Sequence, residues 1–549
     1  MKLHSDWSYI GQEFGCSIRD NFLMAVRSLD NPKAVTPFLL EAGHRRFGLF
    51  LHVEKGNVEA ARLPPDIEPI YYCPYFTFEP PELSPPVHLT LGDTVKAIAT
   101  NENSIVVDQR LPVSVADELA MHFSVRTETS LEPGVVTVHA APHEEVLNLV
   151  GRLRPAAANT ARQLLSGSPS QKRIEPYLEC TTDQRFEMLD RYLNEAGLAA
   201  VLVSSKLNVQ EIGGVPAGAK QRPLAVLYQP GEPAWIIEAG RGGDGLKFPS
   251  ASAALTELCS AGSIGVEFED VDCGTSQIFD LKNRDTQPAD QLLRRWRDRN
   301  TLPDLPFYVI ATRASAYAIE GALEFASHAI EEQQHVTEMD AFAVYMDRLR
   351  RFVSDAMPGL RVARTLTNFH VTARTIFPAN PAPFPLNNNA NALKVDAGCW
   401  LYDEDGCLLG CSDIARTLPL SGDGTELYEV FKRGVRSVLI PSAAAGKSGQ
   451  DMHDIGVGAI WDEPQRLSSN SLFVDLDEPD VSYDRDVGHL LGKNNLAHLR
   501  FAHRNQEILQ EGMIACCEYQ WPLNGHAIAY EDTCLVTPSG GLNLTSDEE

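Results

Sequence analysis

The stretch ALKVDAG, residues 392–398, has the pattern of an apolar strand that delivers Asp396, and SDIART at 412–417 delivers Asp413 from a neighbouring strand. Two aspartates on adjacent strands are hard anionic oxygen donors that can chelate or bridge Mn, Fe, Co or Zn ions. The pair therefore predicts a metal site, which further donors elsewhere in the chain must complete.

Three segments nearer the C-terminus supply donors of the required kind. VGHLLG offers His489 beside small residues, GMIACCEYQ puts Glu518 at the end of an apolar run, and AIAYEDTCLVT sets Glu531 within another. Four carboxylates and one imidazole are what a dinuclear hydrolytic site requires. Bridging carboxylates hold the two ions close together, and the ions share a water whose pKa falls towards neutrality. Each residue alone is weak evidence, so the prediction of a metal site depends on the five together.

The order and contexts of these segments resemble those of a known family. VDAG, SDIART, GHLLG, EGMIACCE and YEDTCLVT are similar to the five metal-binding motifs of the pita-bread metallopeptidases, the family of creatinase, aminopeptidase P and prolidase. Glu518 follows His489 by 29 positions and Glu531 follows Glu518 by 13, and both intervals fit prolidase-like members. The resemblance implies an enzyme, a metallohydrolase of the creatinase and aminopeptidase P type.

The resemblance also implies a role for each donor. Asp396 would chelate one ion, and His489 and Glu518 would bind the other. Asp413 and Glu531 would bridge the two ions. Glu518 would in addition accept the proton of the attacking water, as a general base. The implied cofactors are two divalent ions (Mn, Fe, Co or Zn, with manganese typical of the family), and no other cofactor is expected.

The chain departs from the family's peptidases around this set. They usually carry a histidine shortly before the first aspartate, but PAPFPLNNNANALKVD has none, and His370 is the nearest candidate. A second substrate-facing histidine usually follows GHxxG, where this chain has GKNNLAHLRFAH, so His498 or His503 could serve only with an altered loop. Ala529 replaces an arginine that often precedes the last glutamate. The predicted catalytic residues are Glu518, His498 and His370.

The predicted fold class is α/β and α+β multidomain, with a C-terminal pita-bread catalytic domain preceded by creatinase-N-like α/β domains. The small-polar segment SGSPSQKRIEP at 166–176 separates two regions of different pattern. It places an N-terminal domain at 1–165, a creatinase-N-like α/β domain at 176–310 and the pita-bread domain at 311–549. One interpretation of 1–165 is a diverged copy of the second domain, as in three-domain aminopeptidases P.

Composition bounds the partners and the location. A net charge of −27 over 549 residues disfavours nucleic acid and anionic lipid as partners, because both carry negative charge. The N-terminus lacks the pattern of a secretory signal, and no run of eighteen apolar residues occurs. We therefore expect a cytoplasmic protein that binds no membrane, and the resemblance implies a homodimer.

Three functions are compatible with the sequence. The first is a dinuclear metal-dependent hydrolase of an amide or C–N bond, in a small amino-acid derivative or an Xaa-Pro-type peptide. The second is a lyase, or another non-hydrolytic enzyme, that uses the same site on a small metabolite. The third is a metal-free interaction module. Retention of all five ligands argues against the third, since four buried carboxylates without cations repel one another.

Overall fold

The computed structural model shows a mixed α/β chain with several separate sheets, which confirms the predicted fold class. Some segments lie outside the description that follows. The structure describes residues 1–5, 38–51, 55, 58–59, 63–72, 90–128, 134–180, 183–240, 245–365, 368–376, 380–387, 390–420, 422–460, 486–493, 499–523 and 526–546. Among these residues, none of the helices combines the length and the apolarity that crossing a bilayer requires.

A six-stranded mixed sheet is formed near the N-terminus. Its strands, in spatial order, are Ile67–Tyr72, Arg45–Leu51, Phe38–Ala42, Lys2–His4, Ser104–Asp108 and Ser124–Glu128. Helices Leu91–Ile98 and Val113–Ala120 contribute apolar residues to the same buried core as these strands. That core continues into the second sheet, so the two sheets share apolar packing.

The second sheet has seven strands and takes one of them from the N-terminal side of the predicted boundary at 165. In spatial order its strands are Leu246–Phe248, Val136–Ala141, Ala234–Ala239, Ala225–Tyr228, Leu198–Val203, Ser263–Val266 and Thr286–Pro288. Val136–Ala141 pairs along its whole length with Ala234–Ala239. The domain limits 1–165, 176–310 and 311–549 stay a prediction, and this pairing joins strands from both sides of the first limit.

Helices flank the second sheet or connect it to the C-terminal half. They are His143–Gly151, Arg154–Leu164, Gln171–Leu178, Arg185–Glu195, Lys206–Gly213, Ala251–Leu258, Cys273–Ile278 and Asp290–Asp298, with 3-10 turns at Leu281–Asn283 and Leu302–Asp304. The long helix Leu305–Glu331 follows, and its small alanine side chains allow close packing against Glu338–Ala356. Thr337 and Asp340 form a reciprocal capping box that fixes the start of this second helix.

The C-terminal half contains the two sheets that carry the predicted metal ligands. The aspartate sheet consists of Asn368–Val371, Ala392–Ala397 and Ile414–Pro419, and the glutamate sheet consists of Gly488–Leu490, Ile514–Leu523, His526–Leu535 and Leu542–Asn543. The other strands form a three-stranded sheet (Arg361–Arg364, Cys399–Tyr402, Leu408–Cys411) and a pair (Val336–Thr337, Pro385–Leu386). The other helices are Gly422–Gly434, Ile440–Ser442 and Gly449–Ile460, with a π-helical turn at Val435–Leu439 and a 3-10 turn at Thr372–Ile376.

Hydrogen bonds join the aspartate sheet to the glutamate sheet. The Thr417 hydroxyl donates to the carbonyl oxygen of Ala529 at 3.1 Å and accepts from its amide at 2.9 Å. The Thr533 hydroxyl donates to the carbonyl oxygen of Asp413 at 3.0 Å. The ligand-bearing strands of the two sheets are therefore held against each other, with their apolar residues buried.

Candidate metal centre

Strand pairing fixes the positions of four of the predicted donors, two in each sheet. Asp396 lies in the central strand of the aspartate sheet, and Asp413 immediately precedes the neighbouring strand Ile414–Pro419. In the glutamate sheet, Glu518 and Glu531 lie directly opposite each other in the antiparallel ladder. Directly opposed residues point to the same face of a sheet, with Cβ atoms roughly 5 Å apart. The two glutamates therefore share a face.

Measured distances join the donors across the two sheets. One carboxylate oxygen from each of Asp396, Asp413 and Glu531 lies within 4.8 Å of the other two. Nε2 of His489 lies 3.8 Å from Oδ2 of Asp413 and 3.8 Å from Oε1 of Glu531. With Glu518 opposite Glu531, the fold brings the five predicted ligands together. Their roles as metal ligands stay a prediction.

His489 is held in the tautomer that a metal ligand needs. Its Nδ1 lies 2.8 Å from the carbonyl oxygen of Leu490, and because a carbonyl can only accept, Nδ1 carries the proton. Nε2 is then left with its lone pair towards Asp413 and Glu531. Burial lowers the pKa of His489, with a further lowering from Arg500. The neutral imidazole is therefore the favoured form.

The burial and the charged surroundings of Glu531 are those of a carboxylate that a cation would stabilise. Only 1% of its surface is exposed, and its Oε1 accepts no hydrogen bond from the part of the chain that the structure describes. Burial raises the pKa of Glu531 well above its ordinary value, and repulsion from Asp413 and Glu518 raises it further. A divalent ion between these carboxylates would relieve both effects. The donor set suits two ions of the Mn, Fe, Co or Zn class.

Two glycines of the motifs are required by close backbone approaches. Gly488 has a φ of +144°, and a Cβ there would collide with the carbonyl oxygen of Cys516. A Cβ on Gly398 would collide with the carbonyl oxygen of Ser412. Any larger residue at Gly488 or Gly398 would push apart the backbone segments that carry His489 or Asp413.

Several supporting residues were not singled out in the sequence. Asn368 donates from Nδ2 to Oδ2 of Asp396 at 2.9 Å and so orients that carboxylate. Thr533 fixes the backbone of Asp413, and the alternation of side chains along a strand places it on the face of Glu531. That alternation was a usable signal for Thr533. Nothing in the local sequence marked Asn368, because its contact depends on the pairing of two distant strands.

Arg416 anchors the backbone of the site. Its guanidinium donates to the carbonyl oxygen of Glu531 and, at 2.5 Å, to Oδ1 of Asp532. It also lies over the ring of Tyr530, 4.2 Å from the centroid. Arg436 donates from Nε to the other oxygen of Asp532 at 3.0 Å. These contacts fix the strand that carries Glu531. They are made to the backbone of Glu531 and to the side chain of Asp532, and none of them uses the carboxylate of a predicted ligand.

A buried thiol also lies beside the predicted ligands. Cys516 places its sulfur within 4.8 Å of donor atoms of His489 and Glu531. Its Sγ lies 3.7 Å from the hydroxyl of Thr533, and burial raises the pKa of the thiol well above its ordinary value. Cys516 lies two residues before Glu518, and the alternation of side chains along the strand places both on one face.

Of the three histidines considered for catalysis, the structure describes two. His370 is fully buried in the aspartate sheet, opposite Lys394 and on the same face as Asn368. His498 lies outside the described residues. His503 lies beside His453, with the centroids of the two rings 6.0 Å apart. The catalytic roles of Glu518, His498 and His370 stay predictions.

The pH dependence of stability tests the charge balance at this site. Because the pKa of Glu531 is raised in the folded chain, this group contributes its full stability to the chelated protein at pH values below about 4.5, its ordinary pKa in the unfolded chain. That contribution is lost as the pH rises through the raised pKa of the folded chain. We expect the free energy of unfolding in chelator to fall as the pH rises above about 4.5, by up to about 1.4 kcal/mol per pH unit for one such group.

Denaturant unfolding of the chelated and the manganese-loaded protein measures this difference. The loaded protein should lack this part of the fall, because bound ions keep the carboxylates ionised. Burial also raises the pKa of Glu338 to about 7 and that of Asp290 to about 6, but these groups act in both samples and cancel in the comparison. Parallel pH profiles for the two samples would contradict the assignment.

Comparison with known proteins finds relatives of this chain among solved structures. No protein-family model matches the chain, and no curated protein sequence matches it. An Xaa-Pro dipeptidase from Bacillus anthracis superimposes with a TM-score of 0.51 at 16% identity, over 67% of this chain and 98% of that one. An X-prolyl aminopeptidase from Caenorhabditis elegans, described as a cytosolic enzyme with a di-nuclear active site, gives 0.53 at 12% identity, over 97% of this chain and 84% of that one.

A dipeptidase from Pyrococcus horikoshii OT3 gives a TM-score of 0.50 at 19% identity, over 66% of this chain and 98% of that one. At these identities the structural superpositions show the fold alone, and function must be argued from the site. The comparisons and the five convergent motif residues agree with the resemblance found in the sequence. The chain has the fold of the pita-bread metallopeptidases.

Proposed function

We propose that this protein is a dinuclear metal-dependent hydrolase that cuts an amide or C–N bond in a small amino-acid derivative or an Xaa-Pro-type peptide. The observation that carries the proposal is the convergence of the predicted ligands, with Nε2 of His489 3.8 Å from carboxylate oxygens of both Asp413 and Glu531. The shared fold with Xaa-Pro dipeptidases and aminopeptidases supports it.

The chemistry follows from the donor set. Two divalent ions, when bound, would polarise the scissile carbonyl and lower the pKa of an attacking water towards neutrality. Glu518 accepts the proton of that water and returns it to the leaving nitrogen, so that the proton count balances over one turnover. Asn368 holds Asp396 in place, and Thr533 and Arg416 fix the strands that carry Asp413 and Glu531.

The surroundings of the site favour a substrate other than a general Xaa-Pro peptide. Donors that stabilise charge on the carbonyl oxygen contribute about 3 kcal/mol each to the transition state. The segment 381–395 carries no histidine, and the side chain of His370 is fully buried. Ala529 stands where an arginine often supports the acidic cluster. A substrate that brings its own charge, or is held by other groups, would compensate for these losses.

Slow turnover of Xaa-Pro peptides is therefore the expected result. With Mn, Co, Fe and Zn forms, kcat/KM for Xaa-Pro dipeptides and tripeptides should stay below about 10⁴ M⁻¹s⁻¹, the lower end of the ordinary enzyme range. A panel of small amides and amino-acid derivatives should contain a faster substrate. Mass spectrometry of the products separates hydrolysis, which adds water across the bond, from the elimination that a lyase performs. A higher kcat/KM on Xaa-Pro peptides would establish an ordinary peptidase.

The assembly and the location are further parts of the proposal. We propose a cytoplasmic homodimer that acts on a small molecule or a short peptide, without nucleic-acid or membrane partners. The net charge of −27 supports the exclusion of anionic partners. Size-exclusion chromatography with light scattering tests the dimer, for which a monomer mass would be contrary evidence.

A further inference from the structure

A second group of potential metal ligands lies outside the site described above. One donor atom from each of His453, Asp454 and His503 lies within 4.8 Å of the other two. His453 is 2% exposed on helix Gly449–Ile460, whereas Asp454 is exposed and His503 is partly exposed. The two imidazole rings have centroids 6.0 Å apart and planes inclined by 56°, and Nδ1 of His453 lies 3.5 Å from Oδ1 of Asp454.

The spacing of these donors is near that of a tetrahedral metal site. Nitrogen ligands bind zinc at about 2.0–2.1 Å, so two ligand atoms of a tetrahedral ion lie roughly 3.4 Å apart. The donors must therefore approach by about 1.4 Å or less from their largest separation. Asp454 and His503 both reach the surface and can make this adjustment by side-chain rotation, while His453 stays fixed in the core.

The backbone segments that carry the three residues are already fastened to each other. The amide of Gly449 donates to the carbonyl oxygen of Glu507 at 2.9 Å, and that of Gln450 donates to the carbonyl oxygen of Asn505 at 2.7 Å. The side chain of Gln506 donates to that of Gln450 at 2.6 Å. The helix and the loop are therefore preorganised, and an ion would need little rearrangement of the backbone.

We propose that His453, Asp454 and His503 form a third metal site, which takes a borderline divalent ion of the zinc, cobalt, nickel or copper class. Two imidazoles and one carboxylate favour such ions over Mg²⁺ and Ca²⁺, which take oxygen ligands. Water completes the coordination on the exposed side. The proposal rests on local geometry and does not depend on the proposed hydrolase function.

An ion at this site would act on the strand that carries His489. The loop that bears His503 begins with residues that bond to that strand: the amide of Leu490 donates to the carbonyl oxygen of Leu499 at 2.9 Å, and the amide of Phe501 donates to that of Gly488 at 2.8 Å. The third ion would therefore fasten the support of His489 to helix Gly449–Ile460. Its role is structural, and it touches no reacting atom.

Zinc analysis after dialysis against a competing chelator tests the proposal. The wild-type protein should hold about three zinc ions per chain, His503→Ala about two, and the control His328→Ala, which removes an exposed histidine elsewhere, about three. In the Asp413→Ala background, about one ion should remain, and His503→Ala should remove it. Zinc content unchanged by His503→Ala in both backgrounds would overturn the third site.

The two backgrounds separate this proposal from the dinuclear one. If the dinuclear centre were wrong, His503→Ala would still remove one ion from the wild-type protein. Titration calorimetry on Asp413→Ala should show that His503→Ala weakens zinc binding by more than the roughly 10- to 100-fold loss typical of outer partners of a ligand. Added zinc should raise the Tm of Asp413→Ala only while His503 is present. Asp454→Asn, at an exposed position, repeats the test should His503→Ala fold poorly.

Discussion

Asp413→Ala is expected to reduce the manganese content of the protein from about two ions per chain to nearly none, and to abolish hydrolysis. An ordinary ligand belongs to one ion, but a bridging carboxylate belongs to both. Asp413 lies among Asp396, Glu531 and His489, with its Oδ2 3.8 Å from Nε2 of His489. Without it, each ion would lose a ligand, and the remaining carboxylates would repel one another.

The measurement is manganese per chain after gel filtration, with hydrolysis of the best substrate found. Manganese is used because the proposed third site, formed by His453, Asp454 and His503, should prefer zinc and copper and so should add little to the manganese count. Asp355→Ala, which removes an exposed carboxylate at the end of a helix, is the matched control and should keep both ions. The fold should survive, because the contact of Thr533 is to the backbone carbonyl of Asp413. An unchanged manganese content would disprove the bridge.

The convergence of the five candidate ligands could be predicted because their motifs combine donors with local backbone features, although their roles as metal ligands stay a prediction. Asp396 and Glu531 lie within apolar strands, and Gly398 and Gly488 mark the close approaches next to the ligands. Such local patterns are encoded within a few residues. The contact from Asn368 to Asp396 depends instead on which strands pair and in which register, and no short stretch of sequence contains that information.

The N-terminal half shows the same division between local and non-local information. The alternating apolar residues of Val136–Ala141 are typical of a strand, but their partner lies almost a hundred residues later, at Ala234–Ala239. The predicted boundary at 165 rests on the small-polar segment at 166–176, and such a local pattern does not report strand pairing. The same limit applies to His370. Its chain position upstream of Asp396 suggests a catalytic role, and its full burial is a property of the folded chain that the local sequence does not report.

Glu518→Gln is expected to lower kcat by roughly two to four orders of magnitude, the usual scale for the loss of a general base. Glu518 lies opposite Glu531, on the face where the other donors converge. Glutamine keeps the shape of the side chain and one oxygen donor, but it has no negative charge and cannot take a proton. Metal affinity should therefore weaken but persist, and the lost turnover should exceed the lost metal.

Activity per bound manganese ion separates these two effects. We would measure kcat and metal content together at saturating Mn²⁺, with Glu404→Gln as a control, since it makes the same substitution at an exposed position. The acidic limb of the pH profile of kcat, which reports the ionisation of the base, should change with Glu518→Gln and not with the control. Nearly full turnover per bound ion in Glu518→Gln would place the base elsewhere. A fall in turnover that merely follows the lost metal would make Glu518 a ligand without a proton-transfer role.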